Sequence, residues 1–318
     1  MIGTDIDKAV EYLKNGELVA IPTETVYGLA ANAFDTHAVT KIFKAKNRPF
    51  FDPLIVHTHS IDAVHQWVEN IPPQAVELAN IFWPGPLTLV LRKKDIVPDL
   101  VTAGNPTVAV RVPNHPLTLQ LLSQLDFPLA APSANPFGYV SPTTAQHVSD
   151  QLGDKIPYIL EGGPSKVGIE STIISFAGPV PEILRLGGTS IEKIKQVIGD
   201  MEVNINQHSN PQAPGQTDSH YAPHARFVLG RVEDANVPVD NLVYTGAITF
   251  SRHIQLLREE NQVCLSKNED LDEAASNIFA AMRLLDKKGM KVIYAELLPD
   301  TGLGRAINDR LRRAAHVK

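Results

Sequence analysis

The chain changes character once, and that break limits what it can fold into. Residues 201–224 contain no Lys or Arg and only two acids, Glu202 and Asp218. The stretch 204–215 is rich in Asn, Gln, Ser and Pro and ends in glycine, which is the composition of a linker. Charge is abundant on either side, with 15 Lys+Arg against 20 Asp+Glu over 1–200, and 14 against 13 over 225–318. A length of 318 residues also suggests about two domains. The sequence therefore divides into a larger unit at 1–200, a linker or lid at 201–224, and a smaller unit at 225–318. A structureless segment this long is usually functional or a true linker.

The larger unit alternates short apolar runs with helical periodicity. Leu18–Ile21, Pro53–His57, Leu87–Leu91, Val108–Val112, Phe127–Ala131, Ser171–Phe176 and Glu182–Leu186 read as strands. Thr36–Lys46 reads as a helix with Val39, Ile42 and Phe43 on one face. Ile191–Ile198 reads as another, with Thr189 and Glu192 at the spacing of a capping box. In the smaller unit Leu242–Tyr244, Gln262–Leu265 and Val292–Leu297 read as strands. Leu271–Lys288 reads as a long amphipathic helix stopped by Gly289, and about 305–315 as a last helix. The larger unit thus reads as an α/β or α+β sheet protein, and the smaller as an α/β unit.

Composition excludes several alternatives. A hydrophobic fraction of 43% with 20% charged residues is that of a folded globular chain. The single cysteine, Cys264, forms no internal disulfide and no Cys-cluster zinc site. No apolar run approaches the roughly 18 residues of a membrane span, and acids at Asp5 and Asp7 stand where a signal peptide carries bases. These features predict a cytoplasmic protein with no membrane partner. A net charge of −6 argues against a strongly basic nucleic-acid binder, while leaving room for local patches.

Lys41, Lys44, Lys46 and Arg48 form such a patch, with no acid between Asp35 and Asp52. Pro49 disfavours helix at Arg48, so Lys46 and Arg48 leave the helix end together and can face one anion. Solvated cations at a helix C-terminus are the plainer alternative. Ala131-Pro132-Ser133-Ala134-Asn135-Pro136 leads to Ser141-Pro142, which suit an N-cap and a first helical position. A helix start with hydroxyls and an amide binds phosphate, although Ser, Asn and Pro also simply make turns. Arg111 and Arg185 sit inside apolar strands, either on a solvated face or poised for an anion. Hydroxyls flank them at Thr23, Thr25, Ser171 and Thr172, and His57 ends a strand, by default as a satisfied core histidine. No phosphate-loop motif is present, and Gly302-Leu303-Gly304 lacks the third glycine of a dinucleotide fingerprint. Together these fragments suit an anionic nucleotide and a small polar substrate; they do not specify a reaction.

Five blocks in order resemble the YrdC-domain family, the threonylcarbamoyl-AMP synthases. They are Leu18-Val19-Ala20-Ile21-Pro22-Thr23-Glu24-Thr25-Val26-Tyr27-Gly28-Leu29, Lys46-Asn47-Arg48-Pro49, Pro53-Leu54-Ile55-Val56-His57, Ala131-Pro132-Ser133-Ala134-Asn135 and Glu170-Ser171-Thr172-Ile173. His220-Tyr221-Ala222-Pro223 and Gly302 to Arg310 resemble the long, two-domain form. The resemblance implies a twisted, open, mixed α/β sheet with a basic concave face, followed by a smaller Rossmann-like α/β domain. It implies that ATP, L-threonine and bicarbonate condense to threonylcarbamoyl-AMP and diphosphate. Downstream machinery would then modify the adenosine at position 37 of tRNAs reading ANN codons. Lys46 and Arg48 would contact the phosphates as catalytic groups. Asp52, Thr107, Ser133, Asn135, Ser141, Arg185 and Tyr221 would complete the ATP site. Thr25, His57, Arg111, Ala131 and Ser171 would face threonine, with Arg111 on its carboxylate and Thr172 as an alternative to Ser171. Mg2+ would arrive with ATP, with no protein ligand assigned. Two departures stand out: Asp52 replaces an Asn common in the family, and the linker after Pro214-Gly215 lacks the Met and basic residues of many members. A competing reading is a double-stranded RNA or tRNA-binding protein without adenylate synthesis. It would use the basic face, helped by the basic tail at Arg305, Arg310, Arg312, Arg313 and Lys318, whose plainer reading is a solvated terminal helix.

Overall fold

The computed structural model describes residues 1–205, 213–215 and 221–316. Eleven strands of the larger unit form one mixed sheet. They are β1 (Ile2–Gly3), β2 (Val19–Ile21), β3 (Gly28–Asn32), β4 (Ile55–His57), β5 (Leu87–Arg92), β6 (Thr107–Arg111), β7 (Leu129–Ala130), β8 (Tyr158–Leu160), β9 (Thr172–Ser175), β10 (Glu182–Arg185) and β11 (Glu202–Val203). Their order is β1-β8-β2-β3-β7-β4-β6-β5-β9-β10-β11. Strands β4 and β6 are parallel neighbours, with His57 opposite Arg111. The smaller unit holds β12 (Arg226–Leu229), β13 (Thr245–Thr249), β14 (Gln262–Cys264) and β15 (Val292–Ala295). All its pairings are parallel, in the order β12-β15-β13-β14. The α/β architecture and the mixed and Rossmann-like sheets expected from the sequence are present.

The helix Thr36–Lys46 starts at Asp35, whose side chain accepts the His37 N–H, and ends at Asn47 in the left-handed region with φ 52°. Asn tolerates that conformation better than most residues. It turns the chain, so Lys46 and Arg48 point inward while Lys44 stays exposed and Lys41 pairs with Glu17 at the surface.

Four local expectations are corrected. Ser141 and Pro142 do not open a helix: Thr144 caps Ala145–Leu152 instead. The carbonyls of Ser141, Pro142 and Thr143 already accept hydrogen bonds from Arg283, Tyr27 and Ser165, which holds this backbone extended. Ser190, rather than Thr189, caps Ile191–Ile198, because Thr189 is tied to Thr172 and Pro86. Leu242–Tyr244 belongs to the 3-10 helix Val239–Tyr244, with Val243 and Tyr244 at the surface. The strand follows at Thr245, where Gly246 makes the run look weak for β structure although its lack of a side chain lets Met290 and Leu285 close in. The last helix, Gly304–Ala315, is not a solvated basic tail: Arg310 is fully buried and Arg313 nearly so.

One apolar core runs through both units. Ile278, Phe279 and Met282 of the helix Leu271–Lys287 share a buried cluster with Val148, Ile169, Leu186 and Tyr221. Polar contacts line the same seam. Arg283 donates to the carbonyls of Val140, Ser141 and His147, and Tyr139 donates to Asp286 at 2.6 Å. Buried apolar surface at about 25 cal/mol per Å² makes such a seam a stable union rather than a loose tether.

Candidate active site

The ends of β4, β6 and β10 and the turns after β2 and β7 surround a cavity roofed by Pro214, Gly215 and Tyr221. Of the residues expected in the site, Thr25, Arg48, His57, Arg111, Ala131, Ser133, Ser171, Arg185 and Tyr221 line it. Lys46, Asp52, Asn135 and Ser141 stand behind that wall, each held by a group that lines it or adjoins it. Thr107 begins β6, at the opposite end of the strand from Arg111, and does not line the cavity.

One side is an amino-acid-sized pocket. The Arg111 Nη1 donates to Thr25 Oγ1 at 2.9 Å and its Nε to the Gly85 carbonyl at 3.2 Å. Glu24 approaches Nη2 at 2.6 Å, an ionic contact without hydrogen-bond alignment, and both partners are buried. Glu24 does not line the cavity, so it steers the guanidinium from behind. Thr25 is fixed in turn by Thr23, whose hydroxyl lies 2.8 Å away. His57 sits beside Arg111 with Nδ1 3.2 Å from the Ile55 carbonyl. Burial, and then the neighbouring Arg111 charge, push the His57 pKa down to about 3, so its imidazole is neutral at physiological pH.

That shift has a stability consequence. The unfolded chain binds a proton at His57 near pH 6.5, whereas the folded chain refuses it until about pH 3. Protons therefore favour the unfolded state as pH falls below 6.5, and stability drops across this window. Between pH 8 and pH 5 this single group removes about 2 kcal/mol. Denaturant midpoints measured across that range should show the loss, and His57→Gln should flatten it. An unchanged slope in the variant contradicts the assignment.

The other side collects cations. Lys46 Nζ donates to the carbonyls of Ser133 and Asn135, both at 2.5 Å. Arg185 donates to the Ser171 carbonyl and Oγ, both at 3.0 Å, and to the Pro214 carbonyl at 3.2 Å. Among the described residues no carboxylate forms an ion pair with either, and Arg185, which lines the cavity, presents its charge to a bound anion. Burial lowers the Lys46 pKa well below its usual value, with Arg48 adding to the effect, and brings Arg185 down to about 10. An anion in the cavity would reverse that cost. Arg48 contacts Asp52 Oδ2 at 2.9 Å and donates to the Pro53 carbonyl at 2.8 Å. Asp52 thus orients Arg48 from behind, which gives the departure at this position a structural role. Burial raises its carboxyl pKa despite Arg48, Lys46 and Arg185 nearby.

The roof brings the linker and the smaller unit to the site. Tyr221 is buried with φ 64° and stacks on Phe279 at 5.5 Å between ring centroids. Gly215 has φ 86°, and a Cβ there would come within 3.0 Å of Tyr221 Oη and 3.2 Å of Arg185 Cδ. Gly187 packs so close to the Glu170–Ser171 backbone that a Cβ would overlap it at 2.3 Å. Residues 206–212 and 216–220, including His220 and the segment after Gly215, lie outside the described residues.

Two participants were missed from the sequence. Glu170 lines the cavity, accepts from Ser141 Oγ at 2.6 Å, and meets Arg310 Nε at 3.1 Å. Arg310 comes from the last helix, 140 residues further along the chain. As for a metal, no group of three or more His, Cys, Asp or Glu is placed to hold one among the described residues. Asp52, Glu24 and Glu170 are each engaged by an arginine.

Comparison with known proteins assigns the chain to a family. The Sua5/YciO/YrdC family model, described as "Telomere recombination", matches residues 11–187. The chain belongs to that family. A second model, described as the C-terminal domain of threonylcarbamoyl-AMP synthase, matches residues 189–316. The threonylcarbamoyl-AMP synthase of Pyrococcus abyssi is 40% identical over 96% of this chain and 93% of its own length. That of Bacillus subtilis is 40% identical over 98% and 92%. A crystal structure of P. abyssi Sua5 complexed with L-threonine superposes with a TM-score of 0.89 at 39% identity, covering 98% of this chain and 94% of that one.

Proposed function

We propose that the chain is an L-threonylcarbamoyladenylate synthase, a nucleotidyltransferase that supplies tRNA modification. The observation that carries this is one cavity with two unlike halves. A neutral histidine beside a pinned arginine suits the hydroxyl and carboxylate of a small hydroxy amino acid. Next to it, Arg48 and Arg185 line the cavity, Arg185 without an ion-paired carboxylate among the described residues, and Lys46 stands behind the wall. Full-length similarity to threonylcarbamoyl-AMP synthases supports the same reading, as does the threonine complex of a relative.

In this reading Arg111 and Thr25 hold the threonine carboxylate, and His57 meets the side-chain hydroxyl. Ala131 and Ser171 close the pocket. The amine and bicarbonate combine to an N-carboxylate with loss of water. A carboxylate oxygen then attacks the α-phosphorus of ATP, and the bond to the diphosphate leaving group breaks. Arg48, Lys46 and Arg185 stabilise the charge that develops on the phosphates, while positioning supplies much of the remaining acceleration. Ser133, Asn135 and Ser141 border the nucleotide side. Magnesium would arrive on ATP and share in neutralising it. Tyr221 and Gly215 cover the labile carbamate against water. Downstream machinery would then pass the threonylcarbamoyl group to tRNA, and the reaction would take place in the cytoplasm. No helix among the described residues is long and apolar enough to cross a membrane.

The RNA-binding alternative loses the help of two arginines of the tail, since Arg310 and Arg313 are buried against the larger unit and the linker. Diphosphate release measured with one component omitted at a time tests the proposal. Release should require ATP, bicarbonate and L-threonine together. Equal release without threonine contradicts it.

A further inference from the structure

Glu170 is the one carboxylate among the described residues lining the cavity, and it lies close to Arg185. A carboxylate there repels a polyanionic substrate unless its charge is neutralised. In the larger unit Arg185 lies near enough to attract it but forms no ion pair with it among the described residues. Within that unit the Glu170 side chain accepts only the Ser141 hydroxyl among the described residues, and its ion pair comes from Arg310 of the smaller unit. Arg310 is firmly held in that position. It is fully buried, donates to the Leu186 carbonyl, and touches Asp309 at 3.2 Å. Its guanidinium also lies over the Tyr221 ring, 5.5 Å from the centroid. Arg283 of the same unit holds Ser141 from the other side, through its carbonyl at 3.1 Å.

We infer that Arg310 is a positioning residue for the nucleotide: it neutralises Glu170, keeps it turned to Ser141, and backs the closed Tyr221 lid. The C-terminal unit then completes the ATP half of the site instead of merely docking against it. The inference rests on the adenylate-synthase reading for the identity of the nucleotide. Removing Arg310 leaves a buried carboxylate uncompensated beside the phosphates. Removing the charge of Glu170 as well relieves the repulsion. A role in packing alone would not be relieved in that way.

The experiment uses the full-length chain with Arg310→Met, Arg310→Lys, the double variant Arg310→Met/Glu170→Gln, and the exposed Arg312→Ala as control. Each is measured for KM of ATP, KM of threonine and kcat, and for affinity toward a non-hydrolysable ATP analogue. Arg310→Met should weaken analogue binding and raise KM for ATP at least about tenfold, with KM for threonine within about threefold. The double variant should recover most of that loss, and Arg312→Ala should match wild type. If Arg310→Met does not fold, Arg310→Lys decides: it should raise KM for ATP several-fold while leaving that of threonine in place. Wild-type nucleotide affinity in either single variant overturns the inference, and so does a double variant no better than Arg310→Met. If the wild-type chain binds the analogue but shows no threonine-dependent turnover, the functional reading fails, while the binding series still judges Arg310.

Discussion

Replacing Arg111 by Met should cut kcat/KM for threonine by about 10²–10³-fold, the usual cost of truncating one partner of a buried, hydrogen-bonded charge pair. The loss should fall on threonine, with KM for ATP moving little, because Arg111 lies on the amino-acid side. Part of the damage in the single variant would come from Glu24, left buried without its cation at 2.6 Å. The double variant Arg111→Met/Glu24→Gln separates the two effects. It should regain thermal stability but not threonine turnover, because the substrate carboxylate still has no fork to bind. Arg111→Lys should fall between, since lysine restores charge but not the bidentate geometry. Steady-state kinetics on the three variants checks this. Near-normal threonine kinetics in the double variant would remove Arg111 from the site.

The second large effect concerns the lid. Tyr221→Ala in the full-length chain should lower product formed per diphosphate released by at least about tenfold, because water then reaches the carbamate and the activated intermediate. Tyr221 is held by Phe279 and Arg310, so the loss should deepen when the chain is cut after residue 205. That truncation also strips apolar surface from the continuous core, which makes the point variant the cleaner probe. Parallel assays of diphosphate and of nucleotide product give the coupling ratio directly. A ratio unchanged by Tyr221→Ala contradicts the lid.

Much of the site was legible because its pieces are local. Lys46 and Arg48 leave one helix end, legible near Asn47 because Pro49 disfavours helix at Arg48, whereas the left-handed Asn47 between them is seen only in the structure. His57 and Arg111 end their strands and Thr25 lies in the turn after β2, where an apolar run meeting polar residues marks the rim of a sheet. Their meeting depends on strand order, which no short motif records: His57 faces Arg111 only because β4 and β6 are neighbours. The last helix was misread for a related reason. Arg310 and Arg313 have the local pattern of solvated charges, and what buries them is a carboxylate and carbonyls distant in the chain. Glu170 was passed over because its neighbours Ser171 and Thr172 drew attention as hydroxyls. Its importance lies in one partner from the second domain. At Ser141 the sequence suggested a helix cap, whereas its hydroxyl is committed to Glu170 and its carbonyl to Arg283.

The central claim is that this cavity joins threonine, bicarbonate and ATP into one molecule. Isotope-labelled bicarbonate tests it most directly. The full-length chain is incubated with ATP, magnesium, L-threonine and labelled bicarbonate, and the nucleotide products are resolved by mass spectrometry. The labelled carbon should appear in an adduct containing both threonine and AMP, and the adduct should vanish with Arg111→Met/Glu24→Gln. AMP and diphosphate formed without any labelled threonine adduct, under conditions where the adduct is stable, would contradict the account.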